Sequence, residues 1–139
     1  MAITQAATNQ LKADVLAGVH QPGDDYKIAL FTSAATLGAA TTAYSTTNEV
    51  SGTGYTAGGA SLQGYTPGAA SGVAWIDWAT DPSWANATIT ARGALIYNAT
   101  RANKALGVLD FGADISSTAD TFTVTLPAAG ATTAIIRIA

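Results

Sequence analysis

"SGTGYTAGGASLQGY", residues 51–65, places five glycines and two tyrosines in fifteen positions, and its segment GTGYTA (52–57) fits the degenerate dinucleotide-binding pattern G-x-G-x-x-A. Read as a phosphate cradle, it makes the chain an α/β enzyme; read as a set of turns, it makes the chain a β protein whose work is binding. The flanks decide. A cradle needs a buried strand before it and a helix starting at its third small residue, because the helix N-terminus supplies the amides and dipole that hold a pyrophosphate. Here STTNEV (45–50) on one side is polar, and GGASLQGYTPG (58–68) on the other is broken by Gly59, Gly64, Pro67 and Gly68 before a helix can nucleate. No Lys-Ser or Lys-Thr pair completes a Walker loop. The glycines therefore read as positive-φ turn formers that let Tyr55 and Tyr65 reach across to pack, and no nucleotide or other cofactor is expected.

Outward from this stretch, one helix is followed by strands. NQLKADVLAGVH (9–20) places Leu11, Val15, Leu16 and Val19 at helical spacing, with Asn9 in the N-cap position and Pro22-Gly23 as the stop. From Tyr26 the period changes. YKIALFTS (26–33), VAWIDWA (73–79), TITARGALIYN (88–98), KALGVLDFG (104–112), TFTVTL (121–126) and ATTAIIRI (131–138) are apolar or alternating runs rich in β-formers. With weaker strands in TTAYSTTNEV (41–50) and ASLQGYT (60–66), about eight strands separated by Gly, Pro, Asn and Asp turns are expected. This predicts a mainly β, single-domain, jelly-roll-like β-sandwich over residues 1–139, with an N-terminal arm and short helix in 1–22 and the sandwich in 26–139.

Charge sharpens the reading. Only 11% of the residues are charged, less than half of the ~25% common in soluble domains, so Thr, Ser, Ala and Gly must form the surface. Six basic residues, scattered as Lys12, Lys27, Arg92, Arg101, Lys104 and Arg137, and a net charge of -3 make no patch for nucleic acid. No run approaches the ~20 apolar residues of a membrane helix and no signal-peptide pattern opens the chain, so neither a membrane partner nor export is expected. The absence of cysteine excludes disulfides and thiolate metal sites.

No catalytic or metal-binding constellation emerges, and the chain is not expected to be an enzyme. His20, the only histidine, reads as a cap for the helix C-terminus rather than a base, since no G-x-S-x-G elbow or carboxylate partner is visible. Asp24 and Asp25 read as turn formers after Pro22-Gly23, and Asp77 with Asp81 and Asp110 with Asp114 lack calcium-loop spacing. The candidates for a protein interface are the aromatics Tyr55, Tyr65, Trp75, Trp78 and Trp84, because tyrosine and tryptophan dominate binding hot spots. Trp75 and Trp78 have opposite parity on a strand, so a regular strand buries only one of them. Exposed and coplanar, the three tryptophans could instead stack on sugar rings, which keeps a carbohydrate-binding module as an alternative. The sequons at Asn86 and Asn98 would matter only in a glycosylating route.

AITQAATNQ (2–10), YKIALFTSAATL (26–37), TAYSTTNEVSGTGYTAGG (42–59), ITARGALIYN (89–98) and VLDFG (108–112) together resemble small virion structural proteins of tailed bacteriophages, most like capsid cement or decoration proteins. The resemblance spans nearly the whole chain. It implies a jelly-roll-like β fold, a major capsid protein as partner, and many copies or a homo-oligomer on the capsid surface of the virion. It also implies synthesis in the bacterial host cytoplasm. A head-fibre or tail-associated structural protein is the neighbouring alternative.

Overall fold

The computed structural model describes residues 2–139. The elements run β1 (Ala6–Ala7), α1 (Asn9–Ala17), β2 (Tyr26–Phe31), β3 (Ala60–Ser61), β4 (Gln63–Ala70), β5 (Val73–Thr80), β6 (Ser83–Asn98), β7 (Lys104–Thr123) and β8 (Ile136–Ile138). The protein is mainly β, with two antiparallel sheets ordered β1-β7-β6-β2-β3 and β4-β5-β8.

The continuous apolar runs of β2 and of the second half of β6 follow from burial on both faces. On one face Ile28 and Leu30 join Ala94, Ile96 and Leu106 in a cluster shared with Trp78 and Ile136 of the smaller sheet. On the other, Ala29 and Phe31 join Leu95, Tyr97 and Val108 beneath Ile3 and Ala35. The N-terminal segment and the long β2–β3 connection therefore cover the back of the larger sheet. Each fully buried Leu or Ile contributes on the order of 1.5–3 kcal/mol. TFTVTL behaves as its alternation predicts, with Phe122, Val124 and Leu126 buried and the threonines between them exposed, although strand pairing ends at Thr123.

Several local expectations are corrected. KALGVLDFG and the start of TFTVTL are parts of one strand, β7, because Gly112 sits in a bulge that places residues 111–114 opposite Arg92 instead of ending the strand. TTAYSTTNEV forms no strand. It contributes only isolated bridges, Ala43 to Lys104 and Glu49 to Phe31, and its Tyr44 and Glu49 side chains hydrogen-bond each other.

The N-cap is Thr8, not Asn9: its Oγ1 accepts from Leu11 N (3.0 Å) and donates to the Ala105 carbonyl (2.9 Å), which ties the helix to β7. Gly18, at φ 66°, ends the helix before the expected His20. The buried side of α1 is Leu11 and Asp14; Val15 is exposed, and Leu16 is 91% exposed. The arm is docked by Ile3, buried at 6% exposure, by Thr4 N–H donating to the Leu37 carbonyl (2.9 Å), and by the pairing of Ala6 with Val108.

Candidate interface and buried polar clusters

The glycine-rich stretch is a chain of turns that delivers Tyr55 to the core. Gly54, Gly58 and Gly59 have φ of 84°, 96° and 79° and are followed by β3 and β4 in place of a helix, while Gly64, at φ 77°, lies within β4 rather than in a turn. Gly59 is the least replaceable: at its positive φ an added Cβ would collide with the Ile28 carbonyl oxygen. The Tyr55 hydroxyl accepts from Leu30 N (2.9 Å) and donates to Glu49 Oε1 (2.7 Å). Glu49 also accepts from Gly58 N (2.8 Å) and from the Tyr44 hydroxyl (2.6 Å). Tyr97 stacks on Tyr44 at 4.5 Å and donates to the Gly58 carbonyl (2.7 Å). This carboxylate cluster staples the β2–β3 connection onto the larger sheet. Burial, reinforced by Glu49, pushes the Tyr44 and Tyr55 hydroxyls well above the ordinary tyrosine range and that of Tyr97 up to about 12, so all three remain protonated at neutral pH.

The five candidate aromatics separate into groups. Tyr65 stacks on Tyr26 at 5.1 Å and 1°, and Trp78, 2% exposed, tilts against both rings. At a second position Tyr55 lies 5.7 Å from Trp84, which is 7% exposed and meets Phe122 edge-on. Trp75 belongs to neither group; it is half-buried, with its indole against Gly68 across the β4–β5 pair. Trp78 and Trp84 have no open ring face for a partner, while Tyr55, Tyr65 and Trp75 are partly buried. The three tryptophans form no common exposed platform.

A second polar cluster, unanticipated from the sequence, joins α1 to the turn between β6 and β7. Asn98 is fully buried. Its Oδ1 accepts from Thr100 N (3.0 Å) and Arg101 N (3.2 Å), and its Nδ2 contacts Asp24 Oδ2 (2.9 Å) and His20 Nδ1 (3.0 Å). The Arg101 guanidinium grips Asp24 at 2.9 and 3.0 Å and holds that carboxyl at about 2, well below its ordinary value. His20 Nε2 lies 3.2 Å from Asp14 Oδ2, so the histidine pairs with a carboxylate rather than capping helix carbonyls. Asp14 also receives Gln10 (2.9 Å) and Lys104 (3.6 Å). Burial lowers the His20 pKa against the opposing pull of Asp14.

An Asp–His pair suggests base catalysis, but Nδ1, the nitrogen that would take a proton, is occupied by the Asn98 amide. The arrangement positions chain segments. Neither cluster could be read from the sequence: His20 and Asn98 stand 78 positions apart, and Glu49 lies in a run that looks like a strand. The one available signal was the isolated Glu within an otherwise uncharged stretch.

The outer surface carries little charge because only 11% of the residues are charged, and three of the six basic side chains pair with an acid. Arg92 binds Asp110 (3.0 Å), Arg101 binds Asp24 and Lys104 approaches Asp14. A concavity of about 890 Å³ is lined by Ala, Thr, Gly and Ser of residues 35–45 together with Ala2, Thr4 and Phe31. Among the described residues, no group of three or more His, Asp or Glu side chains is placed to hold a metal. Comparison with protein-family models, curated proteins and solved structures finds no match to the chain.

Proposed function

We propose that the protein is a structural component of a tailed-phage virion that binds the capsid shell and stabilises contacts between major capsid protein subunits, as cement or decoration proteins do. The observation that carries this reading is the surface. Small uncharged side chains lose little conformational entropy when immobilised against a partner, and with only 11% of the residues charged, few ions must be desolvated on docking. The quoted segments that resemble virion structural proteins support the same reading.

The two sheets, which share one apolar cluster, act on this reading as the layers of a jelly-roll-like sandwich, a rigid body suited to bridging neighbouring subunits. Many copies on a symmetric lattice make modest affinity per contact sufficient, because bridging contacts engage as linked events. No catalytic step, nucleic acid or membrane enters this function. Quantitative mass spectrometry of purified virions tests it. Hundreds of copies per particle are expected, whereas a handful would assign the protein to a fibre or tail, and none would remove it from the virion.

A further inference from the structure

The concavity along residues 35–45 is neutral and lined mainly by small residues; the sole histidine, by contrast, sits among polar partners that favour one protonation state. We propose that His20 is an acid-sensitive latch: while neutral it fastens the C-terminal end of α1 to the β6–β7 turn, and protonation at Nδ1 releases that end.

The argument starts from Asn98. Two backbone N–H groups, of Thr100 and Arg101, donate to its Oδ1, which fixes the orientation of the amide. The NH2 group must then face Asp24 Oδ2 and His20 Nδ1. Nδ1 consequently offers a lone pair, and the ring proton sits on Nε2, which lies 3.2 Å from Asp14 Oδ2 without an aligned hydrogen bond to it. A proton on Nδ1 would set N–H against N–H. Turning the amide over would aim its oxygen at the Asp24 carboxylate and its NH2 at the two backbone donors, so the amide cannot turn to accept a proton from Nδ1.

Every neighbouring element bears on this balance. Asp14 on α1 and Asp24 before β2 pull toward the cation, whereas Lys104 at the start of β7 opposes it; Lys104 and Arg101, in the turn before β7, are themselves engaged with those acids. Tyr26 on β2, with its ring 6.3 Å away and its hydroxyl pushed up by burial, brings no charge at neutral pH, and Tyr65 on β4 lines the same cavity. The His20 side chain is 3% exposed, so water does not rescue the charge in place. Relief comes by rotating the imidazole outward, and this detaches α1 where it is least secured. The helix is anchored at its start by Thr8 and Leu11, while Val15 and Leu16 at its end hold nothing. Since the bound form favours the neutral ring, the latch is fully engaged above the ordinary His value of 6.5 and is lost as pH falls below it.

The test uses the full-length chain, in which one histidine gives an unambiguous signal. Nitrogen-15 NMR of the imidazole at pH 7.5 should show the Nε2–H tautomer, with a titration midpoint below 6.5. Amide exchange corrected for intrinsic rates should show the last turn of α1 losing about threefold or more of its protection between about pH 7.5 and 5. The amides of Leu95 and Leu106 should keep theirs over the same range. His20→Gln, which can accept from Asn98 and donate to Asp14 without titrating, should abolish the response. An Nδ1–H tautomer, a midpoint at or above 6.5, equal losses in α1 and the sheet, or an unchanged response in His20→Gln would each overturn the proposal. The wild-type readouts decide it alone if the variant does not fold.

Discussion

Two buried polar clusters tie irregular segments to the same sheet, and they do so with opposite chemistry. Around Glu49 a single carboxylate is held by neutral donors: the hydroxyls of Tyr44 and Tyr55 and the Gly58 amide. Around Asn98 a neutral amide sits at the centre of charges, with Asp24, Arg101, His20 and Asp14 about it. The tyrosine hydroxyls of the first cluster ionise only in alkali, whereas Asp24 and His20 of the second change charge in acid. In a charge-poor chain, this difference ties the alkaline limb of stability to the tyrosines about Glu49 and part of the acid limb to the groups about Asn98.

The largest effect should come from the amide hub. Asn98→Ala strands two backbone donors and leaves Asp24 and His20 without their shared partner, and the expected loss is about 3 kcal/mol in denaturant unfolding. A loss below about 1 kcal/mol would show that water replaces the amide and that the hub is not central. Glu49→Ala should cost about 2 kcal/mol, since the tyrosine hydroxyls and Gly58 N–H lose their acceptor together. Tyr55→Phe should cost about 1 kcal/mol, and the double variant should be less destabilised than the sum, because both changes dismantle one network. Strict additivity would contradict a connected cluster.

How much of this was legible in the sequence differs between the frame and the clusters. The turns at Gly54 to Gly59, the strand at Tyr26–Phe31 and the alternation from Thr121 to Leu126 are readable because glycine conformation and period-2 burial are local properties. The helix was found from Leu11 onward, but its buried side was misjudged: Asp14 turns inward to meet His20, which turns Val15 and Leu16 outward. The strand expected at 41–50 is reduced to isolated bridges, and its Tyr44 and Glu49 side chains hydrogen-bond each other. The five aromatics stand out in the sequence as candidates for a protein interface, yet which rings they meet within the fold is a tertiary matter. Trp78 found Tyr26 and Trp84 found Phe122, pairings no local pattern encodes.

A pH series sharpens the comparison at smaller amplitude. Asp24 titrates at about 2 in the fold, so the stability it shares with Arg101 is complete above the ordinary 3.8 and drains away as pH falls toward 2. Tyr97 titrates at about 12, so its contribution is complete below the ordinary 10.0 and is lost as pH climbs toward 12. Melting curves across that range should show Asn98→Ala flattening the acid limb and Glu49→Ala flattening the alkaline one. Both variants flattening the same limb would break the division. Smallest of all, Leu16→Ser should change folding stability by no more than about 0.5 kcal/mol, because the side chain is almost wholly exposed; a larger loss would mean that α1 packs differently.

The claim that this fold works as a clamp on a capsid lattice is tested most directly by adding the purified protein back to virions that lack it and heating them. A ligand that binds the assembled lattice but not free subunits stabilises it by about 2.7 kcal/mol per site at a hundredfold excess over Kd. Depleted particles should therefore still assemble but release DNA at lower temperature, and add-back should restore the native release temperature in proportion to occupancy, with little loss in 1 M salt because the contacts are largely uncharged. Depleted particles as heat-resistant as native ones, or add-back without saturable binding, would contradict the account.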